Sequence, residues 1–473
     1  MFSRTYQNLF VLCLMLWGLG HILVTESQEL NTTDLQRIQS SGELSFITRN
    51  TPTTYYIGPE GPTGFEYELA SAFAHYLGVT PRVVVSDEFA KILPSVSNKT
   101  ADLAAAGITV TKPRQKFVKF SLSYQDITQL VIYKAGNKKP RSIEDLRGTV
   151  VHVIRGSSHE ELLEELKQEH DFLVWRSHES TDINTIMHKV DTGEYQYAIS
   201  DSNDYQFNKR FYPGLRKGFH ISQSQSLAWA FPKSKDSSVI DAANKFLELS
   251  KANGLLQRLH EKHYSHVPGL NYAGALTFRK HIHSRLENLI PIFKQVAQEN
   301  DIDWRFLAAV SYQESLWNPK AVSPTGVRGL MMLTKRTAKQ LGIENRTDPF
   351  DSTKGGASYL LKLKDRIPQR ITEPDRTWMA LAAYNVGFGH LEDARVLTQS
   401  RGGDPDQWAD VRESLPLLTQ EEWYKKTKFG YARGHEPVLY VRNIRNYYDL
   451  LVWKYKESDS LQDSITRILP QVM

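Results

Sequence analysis

Residues 304–342 read WRFLAAVSYQESLWNPKAVSPTGVRGLMMLTKRTAKQLG, and the reading of the whole chain turns on one acid inside them, Glu314. On a helical wheel, Trp304, Leu307, Val310, Ser311 and Glu314 fall within a wedge of about 120°. A carboxylate therefore shares a face with mainly apolar side chains. Burial without a cation disfavours the charged form and raises the pKa, which suits a general acid working near neutral pH. The same spacing also fits a half-exposed Glu at a helix end, and position alone does not separate the two.

Outward from this stretch the sequence is strongly helical. Leu276 to Leu289 is periodic, and Pro291 suits the first turn of a new helix. A cluster at Ser323-Pro324-Thr325-Gly326 precedes the apolar run Leu330 to Leu333, then a helix over Thr337 to Leu341. Asp351 to Ile367, Trp378 to Asn385 and Pro437 to Trp453 complete an all-α unit, with Asp351 explicable as a helix cap.

Four separated pieces of this half line up: Gln313-Glu314-Ser315; Ser323 with Gly326 to Leu333, including Gly329-Leu330-Met331-Met332; Ala382-Ala383-Tyr384-Asn385-Val386-Gly387; and Tyr440-Val441-Arg442-Asn443-Ile444. Their order and spacing resemble the lytic transglycosylases of the soluble-transglycosylase type, relatives of goose-type lysozyme. Many members have Gln where this chain has Met332, so a side-chain amide contact to sugar is missing there.

The resemblance implies a lysozyme-like fold and a peptidoglycan lytic exotransglycosylase with Glu314 as its catalytic acid and base. Glu314 would protonate the oxygen linking N-acetylmuramic acid to N-acetylglucosamine. It would then take the proton of the muramyl carbon-6 hydroxyl as that group attacks the anomeric carbon, leaving a 1,6-anhydro sugar. Ser315 and Ser323 are expected to orient the Glu or bind sugar. Backbone groups at Gly329, Leu330 and Met331 would contact acetamido groups, Tyr384 and Tyr440 would offer flat faces to the glycan, and Asn385 a hydrogen bond. Tyr447, Trp317 and Trp378 read as core. A two-carboxylate hydrolase needs a second Asp or Glu, and none stands in the matched pieces.

Towards the N-terminus the pattern changes to strand, helix, strand. Leu44 to Thr48, Arg82 to Val85 and Ala104 to Val110 read as strands, and Leu69, Phe73 and Leu77 share a helix face. A second set holds a strand over Val150 to Ile154, the turn Gly156-Ser157-Ser158, a helix over Glu160 to Lys167 and a strand at Tyr197 to Ser200. Leu227 to Phe231 and a helix from Val239 to Leu259 return to the first set. Such alternation predicts mainly parallel sheets covered by helices.

Gly42-Glu43-Leu44, Gly64 to Ala70, Ala101-Asp102-Leu103, Gly107 to Arg114 with Phe120-Ser121 and Tyr124, Gly193 to Asp201 and Gly254 to Tyr264 resemble the family 3 extracellular solute-binding proteins. That resemblance implies a two-lobed module in which Arg114 and the Ser157-Ser158 turn hold a ligand carboxylate and Asp201 holds its amine. A guanidinium grips a carboxylate bidentately and a helix N-terminus favours an anion. Arg114 as a solvated loop charge and Asp201 as a cap of the following helix are the competing readings.

The first 28 residues hold an apolar run from Leu9 to Val24, short for a spanning helix and suited to a signal peptide. Cys13, the only cysteine, lies inside it after Leu12, which argues against lipid attachment and leaves no disulfide beyond it. The expected organisation is a signal peptide over 1–28, a solute-binding-like regulatory domain over 29–266, a linker over 267–275, a catalytic domain over 276–457 and a tail over 458–473.

Composition is that of a globular chain of 473 residues: 40% hydrophobic, 23% charged, net charge +5. No dense basic cluster argues for nucleic acid. No metal or organic cofactor is expected. The expected partners are peptidoglycan glycan strands, a murein peptide or amino acid in the N-terminal cleft, and the periplasmic face of the outer membrane. The place is the periplasm of a Gram-negative bacterium, as implied by resemblance to the membrane-associated transglycosylases. The readings to be told apart from this one are a water-using goose-type muramidase and a periplasmic binding module whose helical half is inert.

Overall fold

The structure is a computed structural model that describes residues 32–58, 61–265, 272–324 and 326–455. The expected signal peptide, most of the linker and the tail lie outside the described residues. No helix among the described residues is long and apolar enough to cross a membrane.

The N-terminal half is an α/β unit of two lobes. In the strand Glu43–Arg49 five consecutive residues, Leu44 to Thr48, are buried. A continuous run of this kind is what a parallel strand covered on both faces requires. It pairs in parallel with Thr80–Ser86 and with Leu103–Ala104. The sheet is completed by Ala230–Pro232 and Val118–Phe120. The second lobe has its own five-stranded sheet, ordered Val174–His178, Val150–Ile154, Tyr197–Asp201, Gln129–Lys134 and Leu215–His220. A two-stranded antiparallel ribbon, Gln125–Ile127 with Gln225–Leu227, lies where the chain passes between the lobes.

Three elements differ from the expected ones, each for a local reason. The third strand stops at Ala104, because Gly107 takes φ 64° and turns its N–H to the buried carboxylate of Glu66 at 2.9 Å. The helix expected over Val239 to Leu259 is two, Ser238–Ala252 and Leu255–Tyr264, broken at Gly254 with φ 77°. The helix before Pro291 starts at Tyr272 and passes into a π-turn over Ile282–Leu286.

The C-terminal half is a helical bundle around one core. Helix Trp304–Ser315 carries Glu314, Asp375–Val386 carries Tyr384, and the 20-residue helix His435–Lys454 carries Tyr440. The first and second of these both pack against the third. The two halves meet through the C-terminal part of that third helix. Arg210, fully buried, donates to Asn446 at 2.9 Å and pairs with Asp449 at 3.0 Å. Arg445 donates to the carbonyls of Glu261 and Lys262 at 3.0 and 2.8 Å and stacks over Trp378. Arg412 pairs with Glu261 at 2.7 Å. Tyr440, which meets Glu314, therefore lies nearer the start of that helix than the residues of the domain contact.

Candidate active site

The Glu314 helix begins with Asp303, whose side chain accepts the Arg305 N–H at 2.8 Å. It ends abruptly, because Leu316 and Trp317 both take the left-handed region, at φ 54° and 59°. Non-glycine residues adopt that region at a cost, so something must hold them there. The holder is Trp317, a buried ring whose indole N–H donates to the Ala308 carbonyl at 2.8 Å. The tight ending turns the chain away and leaves Glu314, half-buried, on the last turn.

Tyr440 donates its hydroxyl to Glu314 Oε1 at 2.6 Å. No cation among the described residues acts on the carboxylate. Burial pushes its pKa up to about 7, against the opposing pull of the Tyr440 hydrogen bond. A carboxyl poised there is about half protonated at neutral pH, which lets it donate a proton and later recover one.

The Gly-Leu-Met-Met turn faces this carboxyl's helix and is built around Gly329. At φ 87°, a Cβ on Gly329 would lie 1.7 Å from the Arg346 carbonyl oxygen, so no other residue fits. The turn buries Leu330 and Met331 completely. Its backbone groups are already engaged: the Leu330 carbonyl accepts from Ser311 at 3.3 Å, and the Met331 N–H donates to Ser352 at 3.1 Å. The Met331 carbonyl accepts the Tyr384 hydroxyl at 2.9 Å. The Met331 carbonyl thus has a scaffolding part beside the expected contact with acetamido groups, since it seats Tyr384. Met332, at φ 46°, is the half-buried residue of the turn. The rings of Tyr384 and Tyr440 lie near parallel, 6.4 Å between centroids.

The two serines sit differently from expectation. Ser315 is buried and donates to the Ser311 carbonyl on its own helix at 3.1 Å. The Ser323 hydroxyl accepts the Val327 N–H at 3.2 Å and shapes the loop. Asn385 is exposed at the end of its helix, as a substrate-facing residue would be. Asp348, not Asp351, caps the helix Pro349–Arg366. Trp317 and Tyr447 pack in the core, and Trp378 lies beneath Arg445. Ser352 and Arg346 escaped sequence reading, because nothing local marks a serine 21 residues away as the partner of the Met331 amide.

The N-terminal cleft has the opposite electrostatics. Arg114 is buried, not a solvated loop charge, and its Nε donates to Glu161 Oε1 at 2.7 Å across the lobes. Asp201 does not use its side chain as a cap; it pairs with His159 Nε2 at 2.9 Å. Ser157 caps its helix and also donates to the Ile154 carbonyl at 2.6 Å, while Ser158 meets Gln129 at 3.0 Å. Arg49 pairs with Asp204 at 3.5 Å. The sequence brought Arg114, Ser157, Ser158 and Asp201 to one cleft but gave no sign of Glu161 or His159. No group of three or more candidate metal ligands occurs among the described residues.

Residues 291–406 match the family described as Transglycosylase SLT domain, and residues 44–266 match bacterial extracellular solute-binding proteins, family 3. The membrane-bound lytic murein transglycosylase F of Saccharophagus degradans is 49% identical over 430 residues, covering 91% of this chain and 86% of that protein. The protein of the same name from Ectopseudomonas mendocina is 45% identical over 441 residues, covering 93% of this chain and 89% of its own. Among solved structures, a mutant of ArgBP from T. maritima aligns with TM-score 0.45 and 24% identity, covering 49% of this chain and 99% of that one. The chain belongs to the membrane-bound lytic murein transglycosylase F family.

Proposed function

We propose that this protein cleaves the β-1,4 bond between N-acetylmuramic acid and N-acetylglucosamine in murein without water, leaving 1,6-anhydromuramyl ends. The observation that carries this is the isolation of Glu314. Burial and one tyrosine hydroxyl set its proton affinity, and no second carboxylate among the described residues acts on it. A hydrolase of the two-carboxylate kind would place another acid within about 10 Å to activate water or form a covalent intermediate. One carboxyl with a pKa near 7 suits a reaction in which the substrate's own hydroxyl is the nucleophile.

In the first step protonated Glu314 gives its proton to the glycosidic oxygen and the leaving N-acetylglucosamine departs. The carboxylate so formed is steadied by the Tyr440 hydroxyl, which is hydrogen-bonded to it throughout. In the second step Glu314 takes the proton of the muramyl carbon-6 hydroxyl as that oxygen closes on the anomeric carbon. The enzyme ends in its starting state. Tyr384, seated by the Met331 carbonyl, and Asn385 line the approach to the carboxyl. Residues 276–457 are the cutting unit in this reading, and residues 29–266 sense a murein peptide or amino acid. The site of action is murein at the inner face of the outer membrane, reached after export.

The experiment is digestion of purified murein by the full chain, with products resolved by mass. Anhydro ends from the native protein and none from Glu314→Gln, with the variant's fold intact, are expected. Equal solubilisation by the variant would overturn the assignment of Glu314. Reducing ends from the native protein would replace it with the muramidase reading.

A further inference from the structure

The cleft between the N-terminal lobes is closed around the chain's own acids. Arg114 reaches from the first lobe into the second, where its Nε donates to Glu161 and its Nη2 donates to the Gly156 carbonyl at 3.0 Å. The other oxygen of Glu161 accepts the Thr111 hydroxyl at 2.7 Å, again from the first lobe. In the turn before helix Ser158–Leu166, the Gly156 N–H is taken by Glu160 at 2.6 Å. The guanidinium that would meet a guest carboxylate is thus filled from within. Further along, Asp204 of the second lobe holds Thr53 at 2.7 Å and Arg49 at 3.5 Å. The space left among Arg49, Ser157, Ser158, His159, Asp201 and Asp204 is about 10 Å³, at the lower limit for one water and too small for an amino acid.

We propose that Glu161 is a resident counter-ligand, which latches the lobes shut by holding Arg114, and that a carboxylate-bearing guest enters only by displacing it. The ligand part of this rests on the sensing reading above; the latch does not. Arg114 is buried, so removing the Glu161 charge takes away its ion-paired acid and leaves it two backbone carbonyls and the weaker pull of Asp201. That state is relieved either by opening the cleft to water or by accepting an external carboxylate. The native chain, by contrast, has its charge balanced with no guest present. Arg114 therefore selects for carboxylates, and Glu161 sets the threshold a guest must pass.

The test uses the full chain as native protein, Glu161→Gln and Glu161→Asp. Glu161→Gln keeps the shape and removes the charge; Glu161→Asp keeps the charge on a shorter stem and reports whether charge is what matters. Hydrogen–deuterium exchange is read over residues 107–116 and 155–162, and a murein tripeptide and a mixture of free amino acids are titrated as separate arms. Exchange at least tenfold faster in Glu161→Gln, with most protection recovered in Glu161→Asp, is the expected result. Unchanged exchange in Glu161→Gln overturns the latch. A carboxylate probe binding about tenfold tighter to Glu161→Gln than to the native chain supports displacement, and equal affinity overturns it. If neither protein binds either probe, the sensing reading fails while the latch stands or falls on exchange alone.

Discussion

The two candidate sites of this molecule treat their acids in opposite ways. In the helical half no cation among the described residues acts on Glu314, which is held by a neutral tyrosine hydroxyl, so its proton affinity rises. In the two-lobed half the acids of the cleft have basic partners: Glu161 has Arg114, Asp201 has His159, and Asp204 has Arg49. The first arrangement suits proton exchange; the second holds surfaces together. Glu161, paired with a cation, has the setting of a strut, and Glu314, without one, has the setting of a proton donor.

The contrast is broken most severely at Glu314 itself. Glu314→Gln keeps the hydrogen-bonding shape and removes the exchangeable proton, and murein cleavage is expected to fall by about a thousandfold. The same variant sharpens the electrostatic argument through stability. A carboxyl whose folded pKa lies above its unfolded value contributes most at low pH, and that contribution is lost as pH rises from about 4.5 to about 7. Glu314→Gln should therefore match the native melting temperature near pH 4 and exceed it by roughly 2–4 °C at pH 8. A variant less stable than native at pH 8 would mean that the charge is compensated after all.

Gly329→Ala comes next. The added Cβ meets a carbonyl oxygen at 1.7 Å, and the turn that seats Tyr384 must shift. A loss of roughly 2–4 kcal/mol in unfolding free energy is expected, with murein cleavage reduced about tenfold or more in protein that remains folded. Tyr440→Phe is milder. It removes a hydrogen bond that favours the carboxylate, so the pKa of Glu314 rises, the alkaline limb of the pH–rate profile moves to higher pH, and kcat falls about tenfold. An alkaline limb that moved down would contradict the role given to Tyr440. The smallest effect belongs to the domain contact: Arg412→Ala removes a partly exposed pair with Glu261 and should cost about 1 kcal/mol or less in denaturant unfolding.

The legible parts of this protein are those whose reasons are local. Glu314 shares a face with Trp304, Leu307 and Val310 within one helix, so a wheel finds it. The Gly-Leu-Met run and the Ala-Tyr-Asn triplet were readable as motifs, but not how backbone groups of the first divide among Tyr384, Ser311 and Ser352. That partition is set by which turn packs against which helix, and no spacing encodes it. The cleft shows the same limit more sharply. Arg114 was found as a cation, yet its partner Glu161 lies 47 residues away on the other lobe, and one acid among several on an amphipathic helix carries no mark of the contact. The breaks at Gly107 and Gly254 were available from the glycines but were overridden by the apolar runs around them.

The most direct test of the central claim follows the fate of water. Murein is digested by the native chain in water enriched in heavy oxygen, and the released fragments are weighed. A single carboxylate taking the proton of the muramyl hydroxyl predicts fragments lighter by one water than hydrolysis products, with no heavy oxygen incorporated. Fragments carrying one heavy oxygen at the new end would contradict it, and would require a second group that activates water.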